Sequence, residues 1–192
     1  KKSNINLSII NMKGFHGTSE NSAKSILLNG FEPSEGDNEW LGDGVYFFVD
    51  GLSKKPKDKS REWTIAQSWD NKAKTRVYNK YSIIESDIDV DKNTLLDLTS
   101  PDGIEIFEYL KKRFEASIKK SSRKFVYLDG LMINLAIKKN ILPLDIVKGN
   151  FYIKFTKERR EQINFRTPNC TIFNVINLTK ILSSKTVETK TI

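Results

Sequence analysis

One imidazole serves the whole chain. His16 is the single histidine among 192 residues, and it stands in FHGTSENSAKSILLNGF (15–31), between a phenylalanine and a Gly17-Thr18 pair. An imidazole titrates near neutral pH and can donate, accept or carry a proton. A lone histidine on an apolar edge is also, more often, a hydrogen-bonded structural residue. The one cysteine, Cys170, cannot form an internal disulfide, and one histidine with one cysteine offers no obvious ligand set for a metal. The expectation is no metal and a reducing, cytoplasmic setting. A second stretch of interest is WLGDGVYFFVD (40–50), where glycines bracket Asp43 and a short aromatic run follows.

Both stretches need elements to hold them. Residues 5–16 read as extended chain, after which Ser19 caps a helix with Ala23, Ile26 and Leu27 on its apolar face and Gly30 at its end. The aromatic run at 45–49 reads as a strand, and GLSKKPKDKSRE (51–62) as a loop. In WTIAQSWDNKA (63–73), Trp63, Ala66 and Trp69 fall close to one helical face. Strands are expected over 76–89 and 94–98, and an amphipathic helix over 104–120 with Phe107, Leu110, Phe114 and Ile118 inward. A short buried helix (129–140) and two extended runs (144–155 and 169–178) complete the pattern, with the polar TKERREQINFRTP between those runs. Helices early, strands late and no regular β-α-β alternation predict an α+β domain on a mainly antiparallel, split sheet.

Composition sets the outer limits. A chain of 192 residues fits one domain, 1–192, and one of this size buries roughly 70% of its unfolded surface. Residues 1–12 are read as an N-terminal extension or first strand, and 183–192 as a flexible tail. Hydrophobic residues at 38% and charged residues at 29% describe a globular chain, not a disordered one. No apolar run approaches the roughly 18 residues of a membrane span, and KKSNINLSII lacks the core and cleavage site of a secretion signal, so no membrane partner is expected. The net charge of +8 admits an acidic partner, because clustered cations release counterions from a phosphate backbone. Lysine outnumbers arginine 25 to 7, and the clusters at 54–61, 111–124 and 157–160 read equally as solvated faces.

His-Gly-Thr at a strand end, the intervening SILLNGF, and GDGVYFF with Tyr46 thirty positions after His16 together resemble the ADP-ribosyltransferases of the His-Tyr-Glu class. That class includes poly(ADP-ribose) polymerase catalytic domains and small bacterial relatives. The likeness runs from roughly residue 13 to 182 and is sharpest in the first seventy. It implies a split-sheet fold that binds NAD as a substrate in a cleft between sheet halves. It also implies roles: His16 on the adenosine ribose, the backbone of Gly17 on the nicotinamide carboxamide, and Thr18 helping to fix a ribose. Tyr46, with Phe47 beside it, would stack on the nicotinamide, and Trp69 would form a second aromatic wall.

The third signature position departs from the class. With Val175, Asn177 and Ile181 set against the family's closing strand, the glutamate position falls at Ile172, beside Thr171 and Cys170. A carboxylate about 4 Å from a developing ribosyl cation contributes on the order of 4 kcal/mol at an effective dielectric near 20, roughly a thousandfold in rate. Its loss leaves three outcomes: an inactive binder, a single-transfer enzyme relying on its acceptor, or a carboxylate supplied from elsewhere. Glu158 and Glu161 in the polar stretch are the candidates for the last.

The resemblance therefore implies a mono-ADP-ribosyltransferase of toxin or defence-effector type that releases nicotinamide, with RNA favoured as acceptor by the basic charge and an antitoxin as a partner. Three alternatives stay open: a protein-modifying transferase, an RNA 2′-phosphotransferase drawing on Arg159, Arg160 and Arg166, and an inactive NAD- or nucleic-acid-binding module.

Overall fold

A computed structural model describes residues 9–36, 39–120, 128–155 and 167–192. Among them, seven strands form one sheet in the order β6-β7-β8-β2-β1-β5-β9. Strand β1 (Ile9–Ser19) runs straight into helix α1 (Glu20–Asn29), as the Ser19 cap predicts: its side chain accepts from the Ser22 amide at 3.1 Å, and Gly30 closes the helix with φ of 89°. The other strands are β2 (Val45–Val49), β5 (Lys80–Asp91), β6 (Leu95–Asp97), β7 (Ile146–Phe151), β8 (Cys170–Val175) and β9 (Ile181–Thr191). Only β6 and β7 pair in parallel, so the sheet is mixed, with antiparallel pairs predominating. Helices α2 (Pro56–Gln67), α3 (Pro101–Lys120) and α4 (Leu128–Lys138) pack outside it, and a two-stranded hairpin, β3 (Trp69–Asp70) with β4 (Thr75–Arg76), follows α2. This is an α+β arrangement, and in place of the expected split sheet the strands form one seven-stranded sheet whose β1–β2 pairing is only two positions long.

The junction between β1 and β2 frames the candidate site. Strand β1 pairs with β5 over all eleven positions, from Ile9 opposite Asp91 to Ser19 opposite Tyr81. With β2 it pairs at only two, Gly14 opposite Val49 and Phe15 opposite Phe48. From His16 onward the two strands part. Gly14 makes the junction possible, since a Cβ there would lie 2.7 Å from Ile88 Cδ1 and 2.8 Å from Phe47 Cβ. Beneath it, Val45, Phe47 and Val49 join Ile88, Val90, Ile146, Phe173 and Val175 in one core cluster. Alternation sends Phe48 to the other face, with Ile172, Cys170, Ile153 and Phe155. All six residues of β8 are buried, the polar Thr171 and Asn174 included, and both of these carry side-chain hydrogen bonds.

Two expectations change. The helix expected from Trp63 begins instead at Pro56, inside the segment read as a loop, and ends at Gln67. Proline is favoured in the first helical turn, where its missing N–H would be unpaired anyway. The closing residues, read as a tail, form most of β9, paired to β5 from Ile88 opposite Ile181 to Lys80 opposite Thr191. The partners there are hydroxyls, Ser82 with Thr189 and Ser86 with Ser184, each at 2.7 Å. The candidates Glu158, Glu161, Arg159, Arg160 and Arg166 lie outside the described residues, as do residues 1–8, and the Ile118 expectation falls on a side chain that is not described.

Candidate active site

Where β1 and β2 separate, a cleft of about 430 Å³ opens. His16 bridges its inner end, with Nδ1 2.9 Å from the Tyr46 carbonyl oxygen. A carbonyl only accepts, so Nδ1 carries the proton and Nε2 is the ring's acceptor in the neutral form. The imidazole packs edge-on against Phe31 at 5.4 Å and Phe47 at 5.9 Å, and burial pushes its pKa down against the opposing pull of the Tyr46 carbonyl. Phe47 is fully buried and backs the imidazole.

Tyr46 lines the same cleft, and its hydroxyl is committed. It accepts from the Leu41 amide and donates to the Gly42 carbonyl, both at 2.8 Å. Asn174 secures the same loop from below: Nδ2 donates to the carbonyls of Leu41, Gly42 and Asp43 at 2.8, 3.0 and 3.2 Å. Asn134 closes the network, accepting from the Asp43 amide at 2.8 Å and donating to its carboxylate at 2.9 Å. Gly42 takes φ of 84° within this loop, a conformation that favours glycine, and a Cβ there would also meet Asn134 Oδ1 at 2.5 Å. Burial pushes the Tyr46 pKa up; the Leu41 amide opposes this, while the negative charges of Glu39 and Asp43 add to it.

The structure gathers His16, Gly17, Tyr46, Phe47 and Ile172 around one cleft, and leaves Thr18 and Trp69 outside its lining. Thr18 sits opposite Ser82 in the β1–β5 ladder. Trp69 is 45% exposed, because α2 ends before it: the Ser68 amide donates to the Thr64 carbonyl and Ser68 Oγ to that of Ile65, and the chain turns into the hairpin. Two other tryptophans provide the aromatic walls. Trp63, with Gln67 one turn on, faces the cleft from α2, and Trp40 meets Trp63 edge-on at 5.7 Å while stacking on Phe151 at 5.1 Å. Gly17 is required by packing, since a Cβ would lie 2.5 Å from the Ser60 carbonyl of α2 and 3.0 Å from Thr64 Cβ. Ile172 is 4% exposed and part of the cleft floor.

Sequence reasoning missed Trp40, Gln67, Glu32 and Glu39, all of which line the cleft. The available signals were the Trp-Leu-Gly ahead of the aromatic strand and Pro56, which sets the helical register that turns Trp63 inward. The arrangement offers a neutral acceptor nitrogen, three aromatic walls and two carboxylates, a setting suited to a planar ring attached to a hydroxylated sugar. Among the described residues no group of three or more His, Cys, Asp or Glu side chains could hold a metal, and no helix is long and apolar enough to cross a membrane.

No protein-family profile matches the chain. Over 161 residues it is 26% identical to the uncharacterized protein MJ0359 of Methanocaldococcus jannaschii, a likeness covering 80% of this chain and 71% of the archaeal one.

Proposed function

We propose that the cleft binds NAD and that the protein transfers a single ADP-ribose from it to an acceptor, releasing nicotinamide. One observation carries the reading. His16 and Tyr46, thirty residues apart, are joined by a hydrogen bond at the point where β1 and β2 part, inside an aromatic cleft of about 430 Å³. In this reading His16 Nε2 accepts from a ribose hydroxyl, a role that needs the neutral imidazole favoured by burial. Tyr46, Trp40 and Trp63 hold the nicotinamide ring, and the locked 41–43 loop keeps Tyr46 in place before any ligand arrives.

The acceptor favoured by charge is a nucleic acid, with single-stranded RNA the best fit because a base amine must leave its stack before it can attack. A toxin or effector role with a neutralising partner belongs to the same proposal. A second reading, NAD binding without turnover, draws on Ile172: the strand position where the resemblance places a carboxylate is buried and apolar. Nicotinamide release by the native chain, His16→Ala and Tyr46→Ala separates the two. Release by the native chain that falls at least a hundredfold in both variants supports the transferase, and equal rates in all three remove it. Labelled NAD incubated with RNA or cell lysate then identifies the acceptor. Label lost to nuclease supports RNA; label lost only to protease moves the acceptor to protein.

A further inference from the structure

The described lining of the cleft differs in charge from the chain as a whole. The sequence carries a net charge of +8, yet the charged side chains lining the cleft are Glu32 and Glu39, and neither lysine nor arginine is among its described lining residues. His16 is held toward its neutral form. The described lining, of aromatic faces and carboxylates, favours a positively charged guest, since both π faces and carboxylates attract cations.

Glu32 follows Phe31, whose ring packs against His16 and Phe47. Glu39 precedes Trp40, which meets Trp63 edge-on, and its negative charge acts on the Tyr46 hydroxyl. We propose that Glu39 supplies the negative charge that faces the cationic guest of this cleft, standing in for the carboxylate missing at position 172. The inference rests on the NAD reading above.

In the transfer, the bond between ribose C1 and the pyridinium nitrogen breaks, and its electron pair stays with the nitrogen, so nicotinamide leaves neutral. The positive charge passes to ribose C1 and the adjacent ring oxygen. A lone pair of the acceptor then bonds to C1, and the acceptor's proton passes to solvent. Nothing is oxidised or reduced. Glu39 speeds this step to the extent that its carboxylate attracts the charge on ribose C1 and the ring oxygen more strongly than the charge on the pyridinium nitrogen.

The test compares the full chain with Glu39→Gln, Glu32→Gln and, as a charge control, Glu105→Gln on an exposed position of α3. NADH is the binding probe, because it differs from NAD in a neutral ring. Native protein and Glu105→Gln should bind NAD about tenfold more tightly than NADH, and Glu39→Gln should lose that preference. Glu39→Gln should also lower the rate of nicotinamide release by roughly a hundredfold or more. Equal affinity for NAD and NADH in the native chain overturns the inference, as does a preference that survives Glu39→Gln or disappears in Glu32→Gln instead. Native turnover in Glu39→Gln overturns it while leaving the NAD reading intact. Failure of the native chain to bind either dinucleotide overturns both.

Discussion

His16 is the chain's only imidazole, so its titration can be followed without interference from another. Burial lowers its pKa below the unfolded value near 6.5. Between the folded and unfolded pKa values the unfolded chain binds more protons, so this contribution is present above about pH 6.5 and is lost as pH falls through that window. Urea midpoints should therefore drop between pH 7.5 and pH 5.5, and His16→Gln should flatten that slope. An unchanged slope in the variant would place the titration elsewhere. Tyr46→Phe keeps the ring but strips the Leu41 amide and the Gly42 carbonyl of a shared partner, at a cost of about 1–3 kcal/mol in unfolding free energy. At this scale the sequence was partly legible. A lone histidine before Gly-Thr and an aromatic strand after Gly-x-Gly marked the two residues that meet. Trp40 and Glu39 were not marked, because their place depends on a loop held by Asn174 and Asn134, more than ninety positions away.

Helix α2 carries Trp63 and Gln67 into the cleft, and it is fastened to β9 at one edge of the sheet. Arg61 donates to both oxygens of Glu188 on β9, at 2.6 and 2.8 Å, and Tyr81 donates to the same carboxylate at 2.7 Å. Glu188 is nearly enclosed, and these donors hold its carboxyl well below the usual range. Glu188→Ala should cost about 2 kcal/mol by urea denaturation. It should also raise the KM for NAD more than it lowers kcat, because it loosens a wall without touching the reacting atoms. The native contribution of Glu188 is present above the unfolded carboxylate pKa and is lost as pH falls below about 4.5. Strand β9 escaped sequence reading for a physical reason. From Ser183 to Thr191 it is mostly serine, threonine and lysine with Val187 the one apolar residue, so no hydrophobic period marks it, and cross-strand hydroxyl pairs tie it to β5 instead. Helix α3 was legible for the converse reason: Leu110 and Phe114 recur at a helical step and pack with Met132 and Ala136.

For the molecule as a whole, charge is distributed less simply than the lysine clusters suggest. Within 54–61, Lys57 and Arg61 are drawn to Glu188 and Lys59 to Glu62, while Lys54 and Lys55 stay exposed beside a hollow of about 560 Å³ at the start of α2. RNA contact made through about four cations should weaken roughly sevenfold when salt doubles. Replacing Lys54 and Lys55 with glutamate should weaken it further and flatten the salt dependence. Fluorescence anisotropy with single-stranded RNA reads both, and salt-independent affinity would remove the electrostatic case for this acceptor. Fold class was legible from the order of elements. The depth of the opening between β1 and β2 was not, since it rests on where two strands stop pairing. Asn174 carries a last consequence. One amide on the interior strand β8 grips three consecutive carbonyls of the loop above, while Ile172 on the same strand paves the bottom of the opening. Rim and base are thus castings from a single mould, and an incoming guest of awkward size must find its slack at the opposite lip.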